Sequence, residues 1–259
     1  MDWIYLSPHF DDAALSCGGL IWEQSQSGIS ASIWTVCAGG VPTGPLSPFA
    51  IELQKRWQAS RDAEVEESRA AGSEMVELRR AEDFASCSLL RANYRHFEIP
   101  DCIYRYMESE PGQRTHLYNS RQTLFGSLHP SEAALVDKLR TQLTHSIPEE
   151  TRLACPLGLG NHVDHQLTRV AAESLERELW YYADFPYTRA DAHQLDQLEE
   201  SGWQFTAFSI SPLGLAAWQK SIAAHRSQIS SFWPDREAMQ REVRDYSESS
   251  GGVRLWKPG

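Results

Sequence analysis

The sequence is poor in positive charge. Its 259 residues hold 24 Lys and Arg against 35 Asp and Glu, a formal net charge of −11. Sequence-blind nucleic-acid binding depends on Lys and Arg neutralising phosphates, so no nucleic-acid partner is expected. The acidic surface implies little beyond solubility. Long apolar runs are missing as well. Nothing approaches the ~20 residues of a membrane span. The N-terminus enters a strand at once, with no basic stretch leading into an apolar signal region. Cysteine is sparse: Cys17, Cys37, Cys87, Cys102 and Cys155 are odd in number and contain no Cys-x-x-Cys. Their apolar or small neighbours read as buried, reduced thiols in a reducing compartment. The expectation is a soluble cytoplasmic protein. There is no G-x-G-x-x-G and no Walker lysine, so Gly18-Gly19 reads as close helix packing rather than a phosphate loop. No internal repeat, low-complexity tract or dividing linker occurs, so one domain over residues 1–259 is expected.

What is present is a core and an alternation of elements. The chain is 41% hydrophobic, enough to bury a substantial interior. Residues 4–6 read as a strand, 12–27 as a helix ending at Gly28, and 29–38 as a strand. This unit builds parallel sheets. A Pro- and Gly-rich loop covers 41–48. A charged helical stretch follows over 54–91, broken near Gly72. Residues 94–99 read as a third strand ending at Pro100-Asp101. Residues 102–130 show no period and read as an excursion over the surface. Residues 131–145 read as a helix with Ser131 as N-cap. A strand at 152–155, a glycine-rich turn at 156–161 and a helix at 164–177 follow. Strands at 179–183 and 204–209, a helix at 213–228 and a mixed polar tail complete the chain. The fold class is α/β: a single Rossmann-like domain with a mostly parallel sheet flanked by helices.

Two stretches carry chemistry. Ser7-Pro8-His9-Phe10-Asp11-Asp12 follows the first strand and opens a helix. A lone Asp there would be an ordinary N-cap facing the helix dipole. That does not account for His9 or the second carboxylate. Imidazole with carboxylate is a usual donor set for zinc and other divalent metals. The second stretch, His162-Val163-Asp164-His165, follows the fourth strand and a glycine-rich turn. His162 and His165 are three apart and can share a helix face. Asp164 is placed to orient a histidine through its second nitrogen. A surface turn with two solvated histidines is the bland alternative for this stretch alone. Both stretches follow strand ends, which share one edge of a parallel sheet, where ligands bind. Together the two sets can close on one metal.

These residues resemble the PIG-L/LmbE family of zinc-dependent de-N-acetylases. Pro8-His9-Phe10-Asp11-Asp12 matches its Pro-His-x-Asp-Asp motif, and His162 to His165 its His-x-Asp-His motif. Arg79-Arg80-Ala81-Glu82 and Pro100-Asp101 are similar to its Arg-x-x-Glu helix and later Pro-Asp. The resemblance covers residues 1–185. Residues 102–130 and the C-terminal part, 186–259, are expected to shape the cleft. It implies His9, Asp12 and His165 as ligands of Zn2+ or another divalent transition metal, and Asp11 as general base on the water. It implies His162, oriented by Asp164, as general acid or oxyanion stabiliser. A nearby carboxylate raises a histidine pKa, so the charged form of His162 is expected. Arg79 and Asp101 would contact the sugar.

The implied activity is hydrolysis of the acetamide of an N-acetylglucosamine-type sugar or sugar conjugate. Hydrolysis of another amide, such as a thiol conjugate or antibiotic precursor, stays open. So does a non-catalytic, metal-clipped sugar-binding module, against which Asp11 argues because a structural clip has no use for it. Small-molecule N-acetylated sugars or glycoconjugates are the expected partners, and a homo-oligomer is left open. The sequence departs from the family pattern at one informative place. Some members have a tyrosine two residues before His-x-Asp-His, and here Gly160 stands there. Asp184-Phe185-Pro186-Tyr187 follows a strand, and Tyr187 is the candidate replacement. The remaining histidines, His96 among them, lack carboxylate–histidine company in the sequence and read as structural or solvated.

Overall fold

The computed structural model describes residues 1–59, 69–110 and 113–259. Strand β1 (Trp3–Ser7) is buried along its whole length, as expected for a parallel strand covered on both faces. Helix α1 (Asp12–Gln26) leads to β2 (Ala31–Thr35). Helices α2 (Pro48–Ala59) and α3 (Arg69–Leu90) precede β3 (Asn93–His96). A hairpin of β4 (Tyr106–Glu110) and β5 (Gln113–His116) follows, then the short α4 (Arg121–Leu124) and α5 (Ala133–Ser146). Next come β6 (Arg152–Pro156), α6 (Val163–Glu173), β7 (Leu179–Tyr182) and α7 (Thr188–Glu200). The chain closes with β8 (Gln204–Phe208), α8 (Pro212–Ala224), α9 (Arg226–Phe232), α10 (Arg236–Ser250) and β9 (Val253–Lys257).

Seven strands form one sheet in the order β3-β2-β1-β6-β7-β9-β8. The first five are mutually parallel, and β9 runs antiparallel between β7 and β8. Chain progression runs outward from β1 on one side and from β6 on the other. The switch point therefore lies between β1 and β6, where open α/β sheets bind ligands. The two motifs leave the carboxyl ends of these two strands.

One side of the sheet is covered by a cluster built from α1, α3, α8 and α10, and the other by one from α5 and α6. Trp218 of α8 is fully buried and donates from Nε1 to the Ala14 carbonyl at 2.8 Å. A Cβ on Gly18 would stand 2.6 Å from its ring and one on Gly19 2.8 Å. The glycine pair thus serves helix packing, as the sequence implied. All five cysteines are buried and free of disulfides.

Several sequence expectations are corrected here. The helix does not break at Gly72, which lies inside α3. A side chain there would press on Gln54 of α2, so the glycine allows close approach instead. Residues 60–68 of the expected helix lie outside the described residues. The segment 102–130 is a surface excursion only in its hairpin. Cys102, Ile103, Tyr104, Tyr118 and Leu124 are buried in a third cluster with Phe10 and Val163, against the motif loops. Its strands show no hydrophobic period because the hairpin is mostly solvated. Ser131 is not the N-cap of the next helix. His129 caps a 3-10 turn over Pro130–Glu132, its Nδ1 accepting the Ser131 N–H, and α5 starts at Ala133. The helix expected over 213–228 is two helices meeting at His225. The tail is helix α10 and strand β9, whose Trp256 is fully buried.

Candidate active site

His9 and Asp12 sit at the junction of β1 and α1. Asp12 Oδ2 accepts the His9 backbone N–H at 2.8 Å and faces His9 Nδ1 at 3.1 Å. Asp11 occupies the N-cap position but makes no cap hydrogen bond. The capping explanation therefore fails for it, and its carboxylate is left to the cavity. His162 caps α6: its Nδ1 accepts the Asp164 backbone N–H at 3.2 Å. One turn on, His165 Nε2 comes within 3.4 Å of Asp12 Oδ2.

The two motifs therefore meet. Ring nitrogens of His9, His162 and His165 lie within 4.8 Å of one another. Asp12 Oδ2 stands 3.1 Å from His9 Nδ1 and 3.4 Å from His165 Nε2. Donors bound at ~2.1 Å to one tetrahedral ion stand about 3.4 Å apart, so these separations fit a zinc-sized cation. His165 Nε2 is buried and makes no aligned hydrogen bond. An orphaned imidazole nitrogen facing a carboxylate is the donor set a divalent metal takes. Cys102, His162 and Asp164 also offer three close donor atoms. Both Asp164 oxygens are already engaged, which makes that set the poorer one.

Asp164 is where the expectation needs correcting. Its carboxylate does not hydrogen-bond to His162. Oδ2 meets His9 Nε2 at 3.0 Å and accepts the Cys102 N–H at 3.0 Å, and Oδ1 meets Arg105 Nη1 at 2.6 Å. It orients the histidine of the other motif. Asp184, just past β7, does the same for His165, with Oδ1 2.6 Å from Nδ1. Its other oxygen accepts the N–H groups of Gly158 and Leu159. Each of the two histidines thus has a carboxylate behind the ring nitrogen turned away from Asp12.

The electrostatics follow. Burial opposes charge on His9, but Asp12 and Asp164 outweigh it and raise its pKa well above the usual value. His165 is pushed up to about 9 by Asp12 and Asp184, against burial. Asp12 is held well below the usual carboxylate range, against burial, by His165 and His9. His162 goes the other way. Burial, with His9 and His165, holds it well below the usual histidine value despite Asp164. The expected charged His162 is thereby corrected to a neutral ring. Because Nδ1 accepts a backbone N–H, the proton of that neutral ring sits on Nε2.

These groups floor a cavity of about 250 Å³ lined by His9, Asp11, Asp12, Arg79, Asp101, His162 and Tyr187. Its upper wall is apolar, with Phe49, Leu53, Trp57, Phe125 and Phe232. Arg79 is buried between Asp11 and Asp101, 3.7 Å from each. Glu82 faces elsewhere, accepting from the Ser227 N–H and hydroxyl. A Cβ on Gly160 would stand 2.8 Å from the Tyr187 ring. Tyr187 thus fills the space a side chain at 160 would need. Burial, then Asp12 and Asp11, push its hydroxyl well above the usual tyrosine value, so it stays protonated.

Other residues escaped the sequence reading. Arg105 and Tyr118 lie in the stretch without periodicity, and Glu132 lies in the helix expected over 131–145. The one available signal was an arginine directly after the apolar Ile103-Tyr104. His96 does have a carboxylate partner, Asp83 Oδ2 at 2.6 Å, contrary to expectation. That pair lies one helix turn from Arg79 and behind Phe10, whose ring meets His96 edge-on.

Fold and site together define an α/β protein with a histidine–carboxylate centre at its switch point. The chain belongs to the PIG-L family: the model described as GlcNAc-PI de-N-acetylase matches residues 4–175. The 2'-N-acetylparomamine deacetylase of Niallia circulans is 28% identical over 210 residues, covering 78% of this chain and 71% of that one. The solved zinc-inhibited form of teicoplanin deacetylase Orf2 superposes with a TM-score of 0.72 at 22% identity, over 99% of this chain and 97% of that one. N,N'-diacetylchitobiose deacetylase from Pyrococcus horikoshii gives 0.55 at 18% identity, over 99% and 82%. Among the described residues, no helix is long and apolar enough to cross a membrane.

Proposed function

We propose that this chain is a metal-dependent hydrolase that removes the acetyl group from an N-acetylated amino sugar or its conjugate. One observation carries the reading: Asp12 Oδ2 stands 3.1 Å from His9 Nδ1 and 3.4 Å from His165 Nε2, beside a cavity lined by His9, Asp12 and Asp11, with Asp11 3.7 Å from Arg79. In this reading His9, Asp12 and His165 hold Zn2+ or another divalent transition metal. Such an ion polarises a carbonyl and makes water acidic near pH 7.

The chain's own groups divide the remaining work. Asp11 takes the proton of the attacking water, and Arg79 stands 3.7 Å from its carboxylate. His162 Nε2–H and the Tyr187 hydroxyl face the oxygen that gains charge as the amide carbonyl is attacked. A neutral histidine that gave up Nε2–H would become an imidazolate, so His162 serves as donor rather than acid. Asp11, protonated in the first step, delivers that proton to the leaving amine. Arg79 and Asp101 bind hydroxyls of the sugar.

The sequence relative acts, by its name, on 2'-N-acetylparomamine. That supports an amino sugar of antibiotic type as a second substrate candidate beside N-acetylglucosamine derivatives. The deciding experiment measures acetate release from both groups of compounds, with metal content determined on the same preparation. Release that disappears with chelation and returns with metal is expected. A metal-free preparation with full activity would end the metal reading, and no release from any N-acetylated sugar would end the substrate reading.

A further inference from the structure

The segment that resisted sequence analysis supplies a buried clamp behind the candidate metal site. Tyr118 Oη lies 2.5 Å from Glu132 Oε2. Glu132 grips Arg105 from two sides, Oε1 at 2.5 Å from Nε and Oε2 at 3.3 Å from Nη2. Arg105 Nη1 reaches Asp164 Oδ1 at 2.6 Å. Asp164 Oδ2 reaches His9 Nε2 at 3.0 Å, and His9 Nδ1 faces Asp12. Glu132, Arg105 and Asp164 are all at most 7% exposed. The guanidinium also covers the Tyr118 ring at 5.4 Å.

We propose that Arg105, held by Glu132, is a positioning residue that sets metal affinity through Asp164 and His9. The inference rests on the proposed His9, Asp12 and His165 ligand set. The physical reasoning is direct. A carboxylate behind an imidazole fixes the ring's orientation and raises its basicity, and losing such a partner costs about 10–100-fold in metal affinity. Asp164 can do this only if it is held still. Arg105 provides its counter-charge in a buried place, and the planar fork fixes the angle. Two buried carboxylates share this one cation, so Glu132 limits where Arg105 can go. The clamp comes from the 3-10 turn before β4 and from the turn before α5. A part of the chain outside both motifs thereby governs the motif histidine. Arg105 lines no part of the cavity, so direct contact with substrate is not its task.

The test compares Arg105→Lys and Glu132→Gln with the unaltered chain, using Co2+ and Zn2+ in chelator competition. The visible spectrum of the Co2+ form and the melting temperature of the metal-free form are recorded alongside. Arg105→Lys should lose roughly 10–100-fold in metal affinity and shift the Co2+ bands. Glu132→Gln should lose less in the same direction. Melting of the metal-free Glu132→Gln protein should stay within a few degrees of the unaltered chain. His165→Ala is the control for the underlying reading, and it should lose tight metal binding outright. If His165→Ala binds metal normally, the ligand set is wrong. If it does not, while the Co2+ spectrum and affinity are unchanged in Arg105→Lys, the clamp proposal is overturned. Should Arg105→Lys fail to fold, Glu132→Gln alone decides, and unchanged affinity there overturns the proposal.

Discussion

His9 Nε2 and Asp164 Oδ2 stand 3.0 Å apart, although the two residues are 155 positions apart in the chain. This contact joins the two motif loops across the switch point. It also reassigns Asp164, whose carboxylate serves the histidine of the first motif rather than its own neighbour. Consequences for measurement follow from this arrangement and from the groups beside it.

Asp11 makes no cap bond and touches none of the three proposed ligands in a way that would hold a metal. Asp11→Asn should therefore keep its metal and lose activity by roughly 10²–10⁴, the range for a general base. Because the same group returns the proton to the amine, no second residue should rescue the variant. Metal analysis and acetate release on one sample check this. Loss of metal in the variant would reverse the assignments of Asp11 and Asp12.

His162→Ala should retain metal and lower kcat by roughly 10²–10³, the cost of one oxyanion donor. The ring is held well below its ordinary pKa by burial, His9 and His165. It is thus neutral at neutral pH and has no imidazolium proton to lose as the pH rises further. The limbs of the pH–rate profile should keep their positions in the variant while the whole curve drops. A high-pH limb that vanishes would show that His162 is an acid after all.

Tyr187 and Gly160 should behave as a pair. Tyr187→Phe removes only a hydroxyl and should reduce kcat with little change in metal content. Gly160→Ala puts a methyl 2.8 Å from the Tyr187 ring, at a backbone φ of +79° that alanine disfavours. It should impair activity at least as much by displacing the ring. Normal kcat in Tyr187→Phe would leave His162 as the sole donor to the oxyanion.

Asp184→Asn tests the support of His165. The amide can still accept from one ring nitrogen but carries no charge to hold it. Metal affinity should fall about 10–100-fold, read by chelator competition, with kcat of the fully loaded protein changed far less.

Trp218 tests the frame rather than the chemistry. It is fully buried and braces the helix that presents Asp11 and Asp12. Trp218→Ala should cost about 3–5 kcal/mol of stability, and Gly18→Ala about 1–3 kcal/mol through overpacking against the same ring. Denaturant titration distinguishes the two sizes of effect.

What the sequence determined by itself was local. A strand's apolar run, a helix start and a His/Asp pattern are written in consecutive residues, so β1, α1, β6, α6 and both motifs were legible. So was their shared edge, because strand ends of a parallel sheet point the same way. Tertiary structure alone decided which partner each side chain took. Asp164 is two residues from its presumed partner His162, yet its carboxylate turns to His9 and Arg105. The helix directs residues 162 and 164 to different sides, and the buried guanidinium offers the stronger charge. Tyr187 fills the space over Gly160 from another element, which no spacing rule reports. The clamp of Arg105 and Glu132 was illegible for the same reason. Its energy comes from charges meeting in a buried interior, and that interior exists only once the sheet, the 3-10 turn and the turn before α5 have closed around it.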